Sequence, residues 1–234
     1  QAWLAAYAER RYGAKSAAAG KAWMYLLEGP YRQGTNGTER SSIVAARPAL
    51  NVKKSGPNAG LGIPYEPMLV IRAQSQLLKD ADKLAFSKPY RFDIVDVQRQ
   101  MMTNLGQLVH KKAAEAFASK DKAAFVLHSG RFLELLRDMD ELLYTRSEYS
   151  FDRWLTEARS WGETKEEKDL MERDATSLVT IWGADGDPRI FDYSWREWAG
   201  LINGYYLPRW QKFYTMLQGH LDAGTDYQEE GLSL

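Results

Sequence analysis

Apolar positions recur every three or four residues along most of this chain, the spacing of one buried helix face. Trp3, Leu4, Tyr7 and Arg11 follow it, and Gly13 fits a C-terminal cap. Ser16 fits the start of a second helix, carrying Trp23, Leu26 and Leu27 to an end near Gly29–Pro30. From Glu66 onward the helical pattern is almost unbroken. Leu69, Leu77 and Leu78 share one helix, and Ile94, Val97, Met101, Leu105 and Leu108 define a long one. A third stretch, from about Lys120 to Tyr144, turns Phe125, Phe132, Leu135, Met139 and Leu142 inward. Ser150 opens a short helix with Trp154 and Leu155. Thr164 and Glu167 read as a capping box for a helix through Leu170, Leu178 and Trp182. Ser194 and Glu197 read as another, opening a helix with Trp195, Trp198 and Ile202 on its inner face. Pro208 kinks or interrupts that helix, and Trp210, Phe213, Leu217 and Leu221 continue its apolar stripe.

Residues 32–64 break the pattern. They are rich in Gly, Asn, Ser and Pro and hold no sustained period, so they predict one long irregular loop. A loop of this length inside a compact domain is usually functional, disordered, or packed against something else. There is no alternation of strands and helices and no internal repeat. The expected fold is all-α, a helical bundle of seven or eight helices with one long irregular loop near residues 32–64.

The 234 residues suffice for one large domain or two small ones with a core that needs no staples. A formal net charge of zero favours neither nucleic acid nor an anionic membrane as partner. The absence of cysteine excludes disulfides and thiolate zinc sites. No apolar run reaches transmembrane length. The start, QAWLAAYAERRYG, has no Met, basic n-region or h-region, as expected of a piece cut from a longer protein. Asn36-Gly37-Thr38 is a glycan acceptor only in a eukaryotic secretory setting.

His110, His128 and His220 fall on separate helices and outside any HExxH pattern, so no metal or other cofactor is expected. GxSxG, Walker and GxGxxG signatures are absent. The charges of 165–169 fit a solvated helix face. Carboxylates are plentiful, and glycoside hydrolysis needs two of them at a defined separation, which sequence alone does not establish for any pair here.

One stretch stands apart. In IWGADGDPRIFDYSWREWAGLINGYYLPRW, residues 181–210, eight residues are aromatic, and they flank a turn of Gly183, Asp185, Gly186, Asp187 and Pro188. Trp195, Trp198 and Ile202 sit at helical spacing and fit core packing. Trp182, Ile190 and Tyr193 lie where elements end, and pattern alone leaves them open between core and site.

The same stretch, IWGADGDPRIFDY followed by WAGLINGYYLPRW, resembles the C-terminal region of the α-N-acetylglucosaminidases, family 89 of the glycoside hydrolases. WLAAYAERRYG, ARPAL, YRFDIVDVQRQ and WLTEARSWG resemble successive blocks of that region, in order, across essentially the whole chain. The resemblance implies a C-terminal helical domain over residues 1–234, with an N-terminal domain and a catalytic barrel lying outside this chain. It implies an exo-acting retaining enzyme that removes terminal α-linked N-acetylglucosamine, with both catalytic glutamates in the barrel. The partners implied are that barrel and the glycan. The chain alone is then expected to be inactive, and its setting secreted, periplasmic or lysosomal. The family's pocket residues from this region match Trp182, Ile190 and Tyr193, although the turn here is about two residues longer than in animal members. The loop histidine of animal members falls near Glu39, where this chain has no histidine.

Chemically, a sugar ring offers apolar C–H faces and polar rims, which suit an indole, a phenol and an aliphatic seal. Two other readings stay open. One is a non-catalytic helical scaffold or interaction module whose aromatic segment is an interface. The other is a free-standing sugar-binding module.

Overall fold

The computed structural model describes residues 2–32, 42–54, 60–182 and 192–228. These contain nine α-helices and no strand. They run α1 (Ala2–Tyr12), α2 (Ala17–Glu28), α3 (Met68–Lys79), α4 (Ala81–Leu84), α5 (Lys88–Ala118), α6 (Lys122–Tyr144), α7 (Phe151–Arg159), α8 (Lys165–Val179) and α9 (Leu207–Ala223). Short 3-10 turns lie at Pro30–Arg32 and Ser147–Tyr149, and a π turn at Ile202–Tyr206. The all-α expectation is met.

Local chemistry explains four of the nine helix starts among the described residues. The Ser16, Asp121 and Ser150 side chains accept the backbone N–H three residues on. Thr164 and Glu167 form the full reciprocal capping box. Gly13 has a positive φ of 78°, which suits a residue without Cβ just past α1.

The chain divides into two compact units. One holds residues 1–37 and 62–104, the other 38–61 and 105–234, so α5 contributes to both. In the first unit, Ala8, Tyr12, Ala19, Ala22, Leu26, Val70, Ala73, Leu77, Leu84, Tyr90 and Val97 form the core. Small residues let α1 and α2 approach closely: a Cβ on Gly20 would lie 3.2 Å from Cα of Ala5. Buried Asp93 is matched by a bidentate Arg11, at 2.5 and 2.6 Å, and by the Tyr12 hydroxyl at 2.9 Å. Burial first, then the Asp93 charge, pushes the Tyr12 phenol well above its usual range.

The second unit is built on Trp210, which is fully buried against His110, Phe132, Phe213 and Tyr214. Part of the irregular 32–64 stretch belongs to this core. Ser42, Ile43, Val44, Ala45 and Ala46 are all buried. A buried coil must still satisfy its backbone polar groups, and α9 supplies the donors. Trp210 Nε1 donates to the Val44 carbonyl at 3.2 Å, and Arg209 donates to those of Ala45 and Ala46 at 3.0 Å each. Gly106 on α5 leaves room beside them, since a Cβ there would lie 3.3 Å from Ile43 Cγ2.

Three expectations need correction. Ser194 and Glu197 open no helix: 195–198 is irregular, and Glu197 is buried, accepting a hydrogen bond from the Ser42 hydroxyl. Helical winding starts at Leu201, where Asp140 of α6 accepts the N–H groups of Gly200 and Asn203. Trp195 and Trp198 are half-buried, and Trp210 is the core tryptophan. Leu105 and Leu108 on α5 and Leu78 on α3 are exposed, and on α6 Leu143 is buried in place of Leu142.

Pro208 lies in the first turn of α9, immediately after the π turn. In a continuous α-helix it would lack an N–H and press on the carbonyl four residues back. The wider turn, closed by Leu207 N–H on the Ile202 carbonyl, accommodates it.

Candidate functional site

The candidate site belongs to the second unit, where α8 ends and the chain returns toward α9. Thr180 caps α8, and the Trp182 N–H reaches back to the Ser177 carbonyl at 2.6 Å. Trp182 has a φ of +47°. That is an outlying conformation for a bulky residue and persists only where its surroundings enforce it. On the return, Asp192 also has a positive φ, 59°, and its N–H donates to the Thr180 carbonyl at 2.8 Å. Trp182 and Asp192 are thus both held by the end of α8.

This pinning brings two of the three sequence-predicted residues together. The Trp182 and Tyr193 rings are 5.0 Å apart and tilted by 51°. Tyr193 is 40% exposed and Trp182 half-buried, so the pair forms an aromatic edge and not core filler. Ile190 lies outside the described residues, as do Glu39 and the Asn36 sequon.

Asp192, adjacent to Tyr193 in the chain, anchors a charged cluster that the sequence did not reveal. The Asp192 carboxylate is almost fully buried. Arg209 contacts it at 2.9 and 3.1 Å, Arg47 at 3.3 Å and the Tyr205 hydroxyl at 3.3 Å. The Arg209 guanidinium also lies over the rings of Tyr205 and Tyr206, 4.5 and 5.4 Å from their centroids. Burial pushes both phenols above their usual range. Asp192 and Arg47 are 145 positions apart, which no local spacing could reveal. The one available signal was that Asp192 and Arg209 both fall inside the aromatic stretch.

His110 is buried, bonds the Tyr214 hydroxyl at 2.8 Å and packs on Trp210. Burial lowers its pKa to about 4, against a smaller raising effect from the backbone at Leu50 and Ala49. Among the described residues no group of three or more His, Asp or Glu could hold a metal ion. No helix among them is long and apolar enough to cross a membrane.

Fold and site together define an all-α domain, among the described residues, with an aromatic pair next in the chain to a buried ion pair. The chain belongs to the alpha-N-acetylglucosaminidase (NAGLU) C-terminal domain family, which matches residues 3–233. Human alpha-N-acetylglucosaminidase is 34% identical over 233 residues, which is 97% of this chain and 30% of that protein. A family 89 glycoside hydrolase from Clostridium perfringens, in complex with 2-acetamido-1,2-dideoxynojirmycin, is similar in structure with a TM-score of 0.92. Its identity is 30%, over 98% of this chain and 27% of that one. The likeness is the same for a Clostridium perfringens structure in complex with its substrate GlcNAc-alpha-1,4-galactose. The chain thus spans under a third of the length of these relatives.

Proposed function

We propose that the chain is the C-terminal helical domain of an exo-acting retaining α-N-acetylglucosaminidase. In this reading it packs on the catalytic barrel of the same enzyme and lends Trp182, Ile190 and Tyr193 to the wall of the substrate pocket. The observation that carries the reading is the Trp182–Tyr193 pair. Two aromatic residues converge at an element end, partly open to solvent, one of them in a conformation its surroundings must enforce. An indole face suits the apolar C–H side of a sugar or the methyl of its acetamido group, and the phenol adds a hydroxyl at the rim. The substrate is a glycan with a terminal α-linked N-acetylglucosamine. Bond cleavage falls to two glutamates of the barrel, so this chain supplies binding and shape.

The test uses the enzyme that carries this domain together with its barrel. Trp182→Ala removes contact area worth roughly 1–3 kcal/mol, which lowers kcat/KM on an aryl α-N-acetylglucosaminide by about ten- to a hundredfold. Unchanged kcat/KM in that variant would refute the pocket-wall role. The isolated chain, purified to homogeneity, is expected to give no turnover of the same substrate above buffer.

A further inference from the structure

We infer that Asp192 is a positioning residue for the Trp182–Tyr193 wall, acting through the ion pair it makes with Arg209; the inference rests on the pocket-wall reading above. Asp192 connects four segments of the second unit. Its N–H holds the Thr180 carbonyl at the end of α8. Its carboxylate holds Arg209 on α9, Tyr205 in the π turn and Arg47 just beyond the buried 42–46 segment. Arg209 is in turn fixed by the carbonyls of Ala45 and Ala46 and by two tyrosine rings. Tyr193 is the next residue in the chain, so the backbone that aims its ring leaves directly from this anchor.

The backbone conformations point the same way. Trp182 and Asp192, on opposite sides of residues 183–191, both adopt positive φ without being glycine. Such conformations persist where neighbouring bonds over-determine them, and they cluster at ligand-binding positions. Asp tolerates the left-handed region better than a bulky residue does. Asp192 can therefore hold the return of the chain while its carboxylate is clamped from α9. Loss of the clamp frees Asp192 and the backbone at Tyr193 to relax, and the two rings lose their common orientation.

The experiment is a double-mutant cycle in the full enzyme, read as kcat/KM on an aryl α-N-acetylglucosaminide well below the melting temperature. Asp192→Asn keeps the shape and the tolerance of positive φ but removes the charge. It is expected to lower kcat/KM by about tenfold when Trp182 is present and by less than about twofold in the Trp182→Ala background, because both changes act on one wall. Full additivity, or no loss in Asp192→Asn, would overturn the inference. A general loss of folded enzyme would multiply the two effects, so it cannot imitate the coupling. Should Asp192→Asn fail to fold, Tyr205→Phe removes one hydroxyl from the same carboxylate. It carries the same cycle with a loss of about two- to fourfold, and its additivity or silence is equally decisive. Trp182→Ala alone separates the two ideas. If it leaves kcat/KM unchanged, the pocket-wall reading fails. If it lowers kcat/KM while Asp192→Asn does not, only the positioning role fails.

Discussion

Asp140 and Gly200 meet across 60 positions of sequence: the Asp140 carboxylate takes the Gly200 N–H at 2.8 Å, and the same oxygen takes that of Asn203 at 3.0 Å. A side chain borrowed from α6 thus does the work of the N-cap expected at Ser194. Asp140→Ala is expected to cost about 1–2 kcal/mol of stability, the usual range for a lost cap. Asp140→Asn keeps an acceptor oxygen and should lose less than half of that. Urea melts of the two variants check the ordering, and equal losses would contradict the capping role.

Trp210 and Trp198 separate core from edge. Trp210→Ala opens a cavity in the aromatic cluster and leaves the Val44 carbonyl without its donor. The expected loss is about 3–5 kcal/mol, the range for large-to-small changes in a core. Trp198 is half-buried, 5.7 Å from Trp154 and beneath Arg196. Its replacement by Ala should cost clearly less. Thermal melts in which Trp198→Ala is the more damaging would reverse this assignment.

His110 gives the domain a defined acid response. Its folded pKa, about 4, lies below the ordinary 6.5 because burial disfavours the charged ring. Between those values the unfolded chain binds more protons than the folded one. Stability from this group is therefore complete above about pH 6.5, falls as the pH drops, and is lost below about 4. Over that window the change is on the order of 3 kcal/mol. Urea midpoints at pH 7, 6, 5 and 4 are expected to fall less steeply for His110→Asn, whatever that variant's stability at pH 7. Parallel slopes would show that His110 does not titrate differently on folding.

Gly162 sits between α7 and α8 with no room for a side chain. A Cβ there would lie 2.6 Å from the Lys168 backbone nitrogen and 2.8 Å from the Glu167 carbonyl carbon. Backbone cannot step aside as a flexible side chain can, so Gly162→Ala should cost roughly 1–3 kcal/mol, the range for overpacking. Trp161 beside it is 82% exposed, and Trp161→Ala should leave the melting temperature nearly unchanged. A tolerated Gly162→Ala would mean that this junction shifts freely.

The parts of the fold readable from sequence are those fixed by neighbours in the chain. Ser16, Ser150 and Thr164 all cap where their spacing predicts, because a cap bonds an N–H three residues away. Ser194 and Glu197 match the same template, but Glu197 bonds Ser42, 155 positions away. The apolar run Ile43-Val44-Ala45-Ala46 is too short to show a period, and its backbone partners lie on α9. Composition alone therefore files it with the loop around it. Trp182 and Tyr193 were singled out by family resemblance, since their place between elements left them open between core and site. The charged cluster at Asp192 was not legible, since pairing Asp192 with Arg47 needs the folded chain.

The π turn at Ile202–Tyr206 makes this domain a counter of residues. Five residues there take up a winding that ends with Leu207 on Ile202. Each residue added to or removed from such a run rotates everything beyond it by about 100° relative to the end anchored on Asp140. Arg209 meets Asp192, and Trp210 meets Val44, only at one phase of that rotation. Substitutions at the exposed Asn203 and Gly204 conserve the phase and should be absorbed. A single deletion there would turn Arg209 and Trp210 away from both partners at once, so chain length in this turn is held more strictly than residue identity.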